Sequence, residues 1–256
     1  MKERVVITGM GIVCPLGNSV AQMWEGLMNG RHGINTNTLF DASAYPTTFD
    51  AEVKNFDLSS VVKNPALHSQ SNRGSAFVLG AAVEACRQAG IDTETDSPAD
   101  GIDRARMGIY LGAGEGAMDS QAFFTAIVKG WDSQKQQMDW SVWTDTTFEI
   151  MTAAHELEQE TNMPVAHLAV LTGAQGMIRS CLTACAASTQ AIGEAAMLIR
   201  RGRADVIITG GAHSMIHPLG LMGFNRLTAL STRNDSPATA SRPFSASRDG
   251  FVLGEG

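Results

Sequence analysis

The stretch Arg179-Ser-Cys-Leu-Thr-Ala-Cys-Ala-Ala-Ser188 sets two thiols four residues apart, the second among small side chains. A thiol there can be a metal ligand, half of a disulfide, core filler or a nucleophile. A zinc site needs further donors, and no second Cys/His pair at finger-like spacing accompanies Cys181 and Cys185. His213 and His217 are also four apart, but Pro218 and Gly220 follow at once and argue against a helix there. A disulfide needs an oxidising compartment. The opening run MKERVVITGMGIVCPLG is too short and too interrupted, by Thr8, Gly9 and Gly11, to serve as a signal peptide. No stretch reaches the roughly 18 apolar residues of a membrane span. The cytoplasm is therefore the expected compartment, with Cys14, Cys86, Cys181 and Cys185 reduced.

Two readings of Cys185 remain, packing and nucleophile. It falls where a buried strand, expected over Ile178 to Thr183, gives way to a helix over Ala186 to Arg201. Ala184, Ala186, Ala187 and Ser188 are small enough for a tight turn. At a helix N-terminus, unpaired N–H groups and the macrodipole favour an anion, and so a thiolate, the reactive form of cysteine. The same N–H groups can stabilise a developing oxyanion. Such an elbow suits covalent acyl transfer. Packing remains the commoner role of a cysteine, and it is the expected one for Cys14, Cys86 and Cys181.

The elements that must position this thiol alternate. Arg4 to Thr8, Met107 to Leu111 and Asp205 to Thr209 read as buried strands that run into glycine turns, and Phe251 to Leu253 begins another. Ser19 to Asn29 reads as a helix, capped by Asn18 or Ser19 and stopped by Gly30, with Trp24, Leu27 and Met28 on one face. Asn72 to Ala89 reads as a second, closed by Gly90. In the helix after Cys185, Ile192, Ala195, Ala196 and Ile199 share a face, and Gly202 ends it. Residues 31–70 and 92–104 read as irregular. Strands joined by helices imply an α/β fold with a mainly parallel, covered sheet. The chain has 256 residues, 44% hydrophobic and 18% charged, which suits a packed core. A net charge of −7 without a basic tract leaves no electrostatic footprint for nucleic acid. Gly9-x-Gly11 and Gly112-x-Gly114-x-Gly116 follow strands, yet neither completes a dinucleotide-binding fingerprint.

The ordered set of motifs resembles the N-terminal part of a β-ketoacyl-[acyl-carrier-protein] synthase, a condensing enzyme with a thiolase-like fold. The motifs are Val5-Val-Ile-Thr-Gly-Met-Gly-Ile-Val13, Thr183-Ala-Cys-Ala-Ala-Ser188 and Asp205-Val-Ile-Ile-Thr-Gly-Gly-Ala212. They continue with Ala229-Leu-Ser-Thr-Arg-Asn-Asp235, Ala240-Ser-Arg-Pro-Phe244 and Arg248-Asp-Gly-Phe-Val-Leu-Gly-Glu-Gly256. The resemblance implies one half of a thiolase-like domain, with a Trp-rich cap insertion over about 115–175 and the C-terminal half missing. It implies that Cys185 takes an acyl group from acyl carrier protein, and that its backbone N–H supplies half of an oxyanion hole. Condensation with malonyl-carrier protein and loss of CO2 would follow, as in fatty-acid elongation, with no cofactor. Homodimers are usual in the family, paired through the strand before the nucleophile, here Ile178 to Thr183.

The resemblance also places Glu115, Gly220 and Phe224 at the acyl pocket. It leaves Lys63, Arg73, Arg226 and Arg233 as thin candidates for carrier-protein docking. Glu115 stands where relatives carry an apolar residue, and a carboxylate against an alkyl chain costs several kcal/mol of desolvation unless paired. A polyketide-type or aryl-polyene-type synthase is therefore the second enzyme reading, and a non-catalytic partner subunit the third. Two histidines and usually a lysine that the family draws from its C-terminal half have no match among His32, His68, His155, His167, His213 and His217. The chain stops inside an apparent strand, so residues 1–256 are expected to be a piece that cannot condense malonyl units alone.

Overall fold

Local sequence signals set the element boundaries in this computed structural model, which describes residues 4–95, 98–114 and 119–256. Helix α1 (Val20–Met28) starts at Ser19, whose side chain accepts from the Gln22 N–H. Strands β1 (Asn35–Thr36) and β2 (Phe49–Asp50) form a short antiparallel ribbon. Helix α2 (Arg73–Ala89) is capped by Asn72, which accepts from the Ser75 N–H at 2.9 Å, and is closed by Gly90 at φ +70°. Strand β3 (Met107–Gly112) precedes helix α3 (Ser120–Gly130), the ribbon β4 (Trp131–Asp132) and β5 (Gln137–Met138), and helices α4 (Trp140–Ile150), α5 (Ala153–Glu158) and α6 (Met163–Thr172). Strand β6 (Ile178–Cys181), helix α7 (Ala187–Arg200), strand β7 (Val206–Gly211) and helix α8 (Pro218–Arg226) complete the order.

The sheet has strand order β6-β3-β7, all parallel. Side chains alternate across a strand. Met107, Ile109 and Leu111 therefore share one face, where they form a core with Leu79 of α2 and Leu168 and Leu171 of α6. Gly108, Tyr110 and Gly112 point the other way, and α7 packs on that side of β3 and β7. Helices thus cover both faces of the central strand, as the alternating pattern requires. Among the described residues, no helix is long and apolar enough to cross a membrane.

Three expectations need correction. Arg4 to Thr8 is not a buried strand: residues 4–13 enter no ladder, and Val6 and Ile7 are 71% and 79% exposed. The segment instead lies across α2, because Gly9 and Gly11 let its backbone touch the Ala85 and Ala81 carbonyls. Side chains of α2 take up its N–H groups, Gln88 at Met10 and Glu84 at Ile12. Phe251 to Leu253 likewise forms only isolated bridges. In α7 the buried stripe is Ala187, Ala191 and Ala195, while Ile192 is 48% exposed, since only small side chains fit so close to the sheet. The Pro218 argument holds: residues 213–217 form no helix. Pro218 opens α8 at its first position, where no N–H is needed, and His217 caps it.

Residues 251–256 are fastened to the rest by backbone hydrogen bonds to Ala229, Ser231, Ala51 and His213 and by one buried carboxylate. Glu255 pairs with Arg73 and accepts from Ser214 Oγ at 2.6 Å and from the Val53 N–H at 2.8 Å. Nearby, Asp50 is 1% exposed, and Oδ2 accepts from Asn37 at 2.5 Å. Its Oδ1 has no hydrogen-bond partner among the described residues. Burial, opposed by the Asn37 hydrogen bond and reinforced by Glu52 and Glu255, pushes its carboxyl up to about 6. A raised carboxyl keeps its proton in the folded state after the unfolded chain has lost it. Stability therefore falls as pH rises from about 4 to 6, by up to about 3 kcal/mol. Asp50→Asn should melt higher than wild type at pH 8 and lose that advantage near pH 4. Thermal unfolding across that range checks it, and parallel curves would count against it.

Candidate functional site

The strand–helix elbow places Cys185 as a thiol presented to solvent. Strand β6 ends at Cys181, and Ala184–Ala186 make a single 3-10 turn before α7 begins. The Ala186 N–H donates to the Thr183 carbonyl at 3.1 Å, and Cys181 Sγ lies 3.3 Å from the Ala187 carbonyl. Ala184 sits at φ +50°, which costs a residue with a Cβ about 1–2 kcal/mol. Such strain persists only where surrounding structure holds it.

What holds it is the close seat of α7 on the strand ends. A Cβ on Gly112 would lie 2.3 Å from the Ser188 nitrogen, and one on Gly211 would lie 3.1 Å from the Ser188 Cβ. The two glycines end β3 and β7, so the first turn of α7 rests directly on the sheet. Cys185 thereby stands at the carboxyl end of the parallel strands, where open α/β sheets bind ligands. It is the exposed cysteine. Cys14 and Cys181 are half-buried, and Cys86 is 2% exposed, its thiol pushed up to about 11 by burial.

A cavity opens at the same end of the sheet. Ala113 and Gly114 after β3, Ala212 and His213 after β7, and Asn72 to Ser75 at the start of α2 form its wall with Glu160, Thr161 and Pro164. Gly114 is required there, since a Cβ would meet the His213 ring at 2.2 Å. Cys185, Gly220 and Phe224 do not belong to this wall. Gly220 is buried against the Met215 carbonyl, where a Cβ would come within 2.2 Å. Phe224 packs beside Leu221 and Leu230 and meets Phe251 edge-on at 5.4 Å. Glu115 lies outside the described residues.

The four basic candidates are dispersed. Arg73 is committed to Glu255 and lies over the Phe77 ring at 5.1 Å. Lys63 Nζ donates to the Thr93 carbonyl at 3.2 Å. Arg226 is in the last turn of α8, and Arg233 donates to the Ser247 carbonyl at 3.1 Å. Among the described residues, no group of three or more His, Cys, Asp or Glu side chains could hold a metal ion.

Two polar constellations have no sequence signal. Glu255 with Arg73 and Ser214, and His68 with His167 and Glu158, join residues far apart in the chain. Spacing rules find pairs one helical turn apart. They cannot find pairs that only tertiary packing brings together.

The family model for the β-ketoacyl synthase N-terminal domain matches residues 2–256. The chain is 38% identical over 260 residues to 3-oxoacyl-[acyl-carrier-protein] synthase 2 of Coxiella burnetii, covering all of this chain and 56% of that protein. It thus spans little more than half of that relative's length. Among solved structures, a β-ketoacyl synthase from Burkholderia phymatum STM815 superposes over the whole chain and 58% of its own. That superposition has a TM-score of 0.78 at 27% identity. AntDE:AntF, a type II PKS acyl-carrier protein in complex with its ketosynthase bound to the hexaketide, superposes at TM-score 0.74 and 25% identity. It covers the whole chain and 57% of its own. The expected thiolase-like ketosynthase fold is therefore the fold found.

The differing exposure of the four thiols makes a direct prediction. Iodoacetamide should alkylate Cys185 first in the native protein and leave Cys86 unmodified until the chain unfolds. Peptide mapping over time checks the order. Equal rates at Cys86 and Cys185 would contradict it.

Proposed function

We propose, from the premise that the chain belongs to the β-ketoacyl synthase family through its N-terminal domain, that Cys185 is the acyl-accepting nucleophile of a β-ketoacyl-carrier-protein synthase. The observation that carries this reading is the exposed Cys185 on an elbow whose helix is seated on Gly112 and Gly211. The thiolate attacks the carbonyl of an acyl thioester carried by acyl carrier protein. A new C–S bond forms, the carrier's thiol leaves with the electron pair of the old one, and the acyl group stays on Cys185. The Cys185 N–H serves as one oxyanion donor. Malonyl-carrier protein then loses CO2, and the resulting carbanion displaces Cys185 from the acyl carbon, with carbon–carbon bond formation.

The second half of that reaction needs donors aimed at the enolate oxygen, and we assign them to sequence outside residues 1–256. The 56% coverage of the Coxiella relative supports this. Carrier protein as partner is supported by that relative's name and by the carrier–ketosynthase complex. With Arg73 paired to Glu255 and Arg233 to Asp249, Lys63 and Arg226 are the docking cations of this set outside ion pairs among the described residues. Strand β6 lies at the sheet edge with Ile178 40% exposed, which supports pairing with a second copy there. Within the expected cap segment, 115–175, we assign the cap itself to α3, α4 and α5, since α6 belongs to the core through Leu168 and Leu171. Glu115, Gly220 and Phe224 remain our acyl-pocket assignment, although Gly220 and Phe224 are not in the wall of the cavity described above. The likeness to a type II PKS ketosynthase supports polyketide-type condensation as the second reading.

In the full-length protein, Cys185→Ala should lower condensation of acyl- with malonyl-carrier protein about a thousand-fold or more. Residues 1–256 alone should give no condensation product. Wild-type rates in the variant, or product from the isolated chain, would overturn the assignment.

A further inference from the structure

Away from Cys185, three titratable side chains form a chain of hydrogen bonds inside the protein. Glu158 ends α5, His167 lies in α6, and His68 lies in the 3-10 turn Pro65–His68 before α2. They are 8%, 7% and 2% exposed. Glu158 carboxylate oxygens stand 3.0 and 3.1 Å from His167 Nε2, and His167 Nδ1 stands 3.0 Å from His68 Nδ1. His68 Nε2 is buried with no hydrogen-bond partner among the described residues.

The geometry fixes the direction of the chain. A carboxylate only accepts, so His167 donates from Nε2. In a neutral His167 the Nδ1 atom then accepts, and His68 donates from Nδ1, leaving a lone pair on its buried Nε2. One added proton settles on the His68 Nε2 lone pair while the central contact reverses: His68 passes its Nδ1 proton to His167, which then donates from both nitrogens, and His68 accepts at Nδ1. A second proton puts an N–H on each side of a 3.0 Å contact that then has no acceptor.

The chain also bears on the cavity. Asn72 lines the cavity, its side chain donates to the Glu158 carbonyl at 2.9 Å, and Glu160, Thr161 and Pro164 of the same wall lie two to six residues after Glu158. We propose that Glu158, His167 and His68 form a proton-linked latch that holds the α5–α6 wall of this cavity against α2, closed with at most one added proton and opened by a second. The groups acting on His68 are His167 from α6, Glu158 from α5 and Glu94 from the loop after α2. Burial, and next the neighbouring His167, lower the His68 pKa, opposed by Glu94 and Glu158. A histidine held below its usual range contributes stability at high pH, and that stability is lost as pH falls through about 6.5 and below.

Hydrogen exchange on the full-length protein tests the latch. Between pH 7.5 and 5.5, an open state that takes up one proton more than the closed latch, near pH 6.5, is favoured about tenfold more. Protection factors over residues 65–72 and 153–163 should fall by that factor in wild type, while those of α7 hold. His68→Asn, which keeps a side-chain donor but cannot titrate, should abolish the fall. No selective loss in wild type, or the same loss in His68→Asn, overturns the latch. If His68→Asn does not fold, imidazole nitrogen shifts of wild type at pH 7.5 decide. His167 protonated at Nε2 and His68 at Nδ1 sustain the latch. Both rings protonated only at Nε2 overturn it.

Discussion

The constraint on which the site depends is the contact between the first turn of α7 and the ends of β3 and β7. Backbone meets backbone at Gly112, and Gly211 leaves room for the Ser188 side chain. That contact fixes the height of α7 above the sheet and limits its buried face to Ala187, Ala191 and Ala195. It also supports the left-handed Ala184 beside Cys185. Even a methyl group at residue 112 would require α7 to move as a body, since the nearest atoms are main chain. The nucleophile's position is thus a property of the whole β3–α7–β7 unit rather than of one loop.

Much of that unit was legible in the sequence. Glycine stops, cap residues and apolar runs located β3, β6, β7, α2 and α7 to within a residue or two, because each signal acts locally. The parallel order followed from the alternation of strand and helix. The failures are equally physical. Val5-Val-Ile looks like a buried strand by composition, but a strand also needs a neighbour for its N–H and C=O groups. Here α2 side chains meet some of those groups, leaving Val6 and Ile7 outside. Similarly, Trp24, Leu27 and Met28 do share a face of α1, as their spacing implies, yet that face is exposed. Periodicity reports which residues lie together, not whether anything covers them.

The polar interior was invisible for another reason. Glu255 and Arg73 are 182 residues apart, and His68 and His167 are 99 apart. Nothing in either neighbourhood marks a partner. Yet these pairs organise the start of α2: Arg73 and Asn72 begin the helix, Glu255 ties residues 251–256 to it, and Glu158 hangs α5 on Asn72. Removing one partner of such a pair leaves a buried charge or dipole unmatched, at a cost of about 3–5 kcal/mol for an ion pair. The cavity at the carboxyl end of the sheet is therefore framed by charged and polar contacts, whereas the thiol beside it is framed by close-packed backbone.

The most direct test of Cys185 as acyl acceptor is to find the acyl group itself. The full-length protein, incubated with acyl-loaded carrier protein and no malonyl donor, should gain one acyl mass. Peptide mapping should place it on the fragment holding Cys185, as a thioester released by hydroxylamine. An unmodified Cys185 after complete turnover of the donor, or an acyl group on Cys14 or Cys181 instead, would contradict the account.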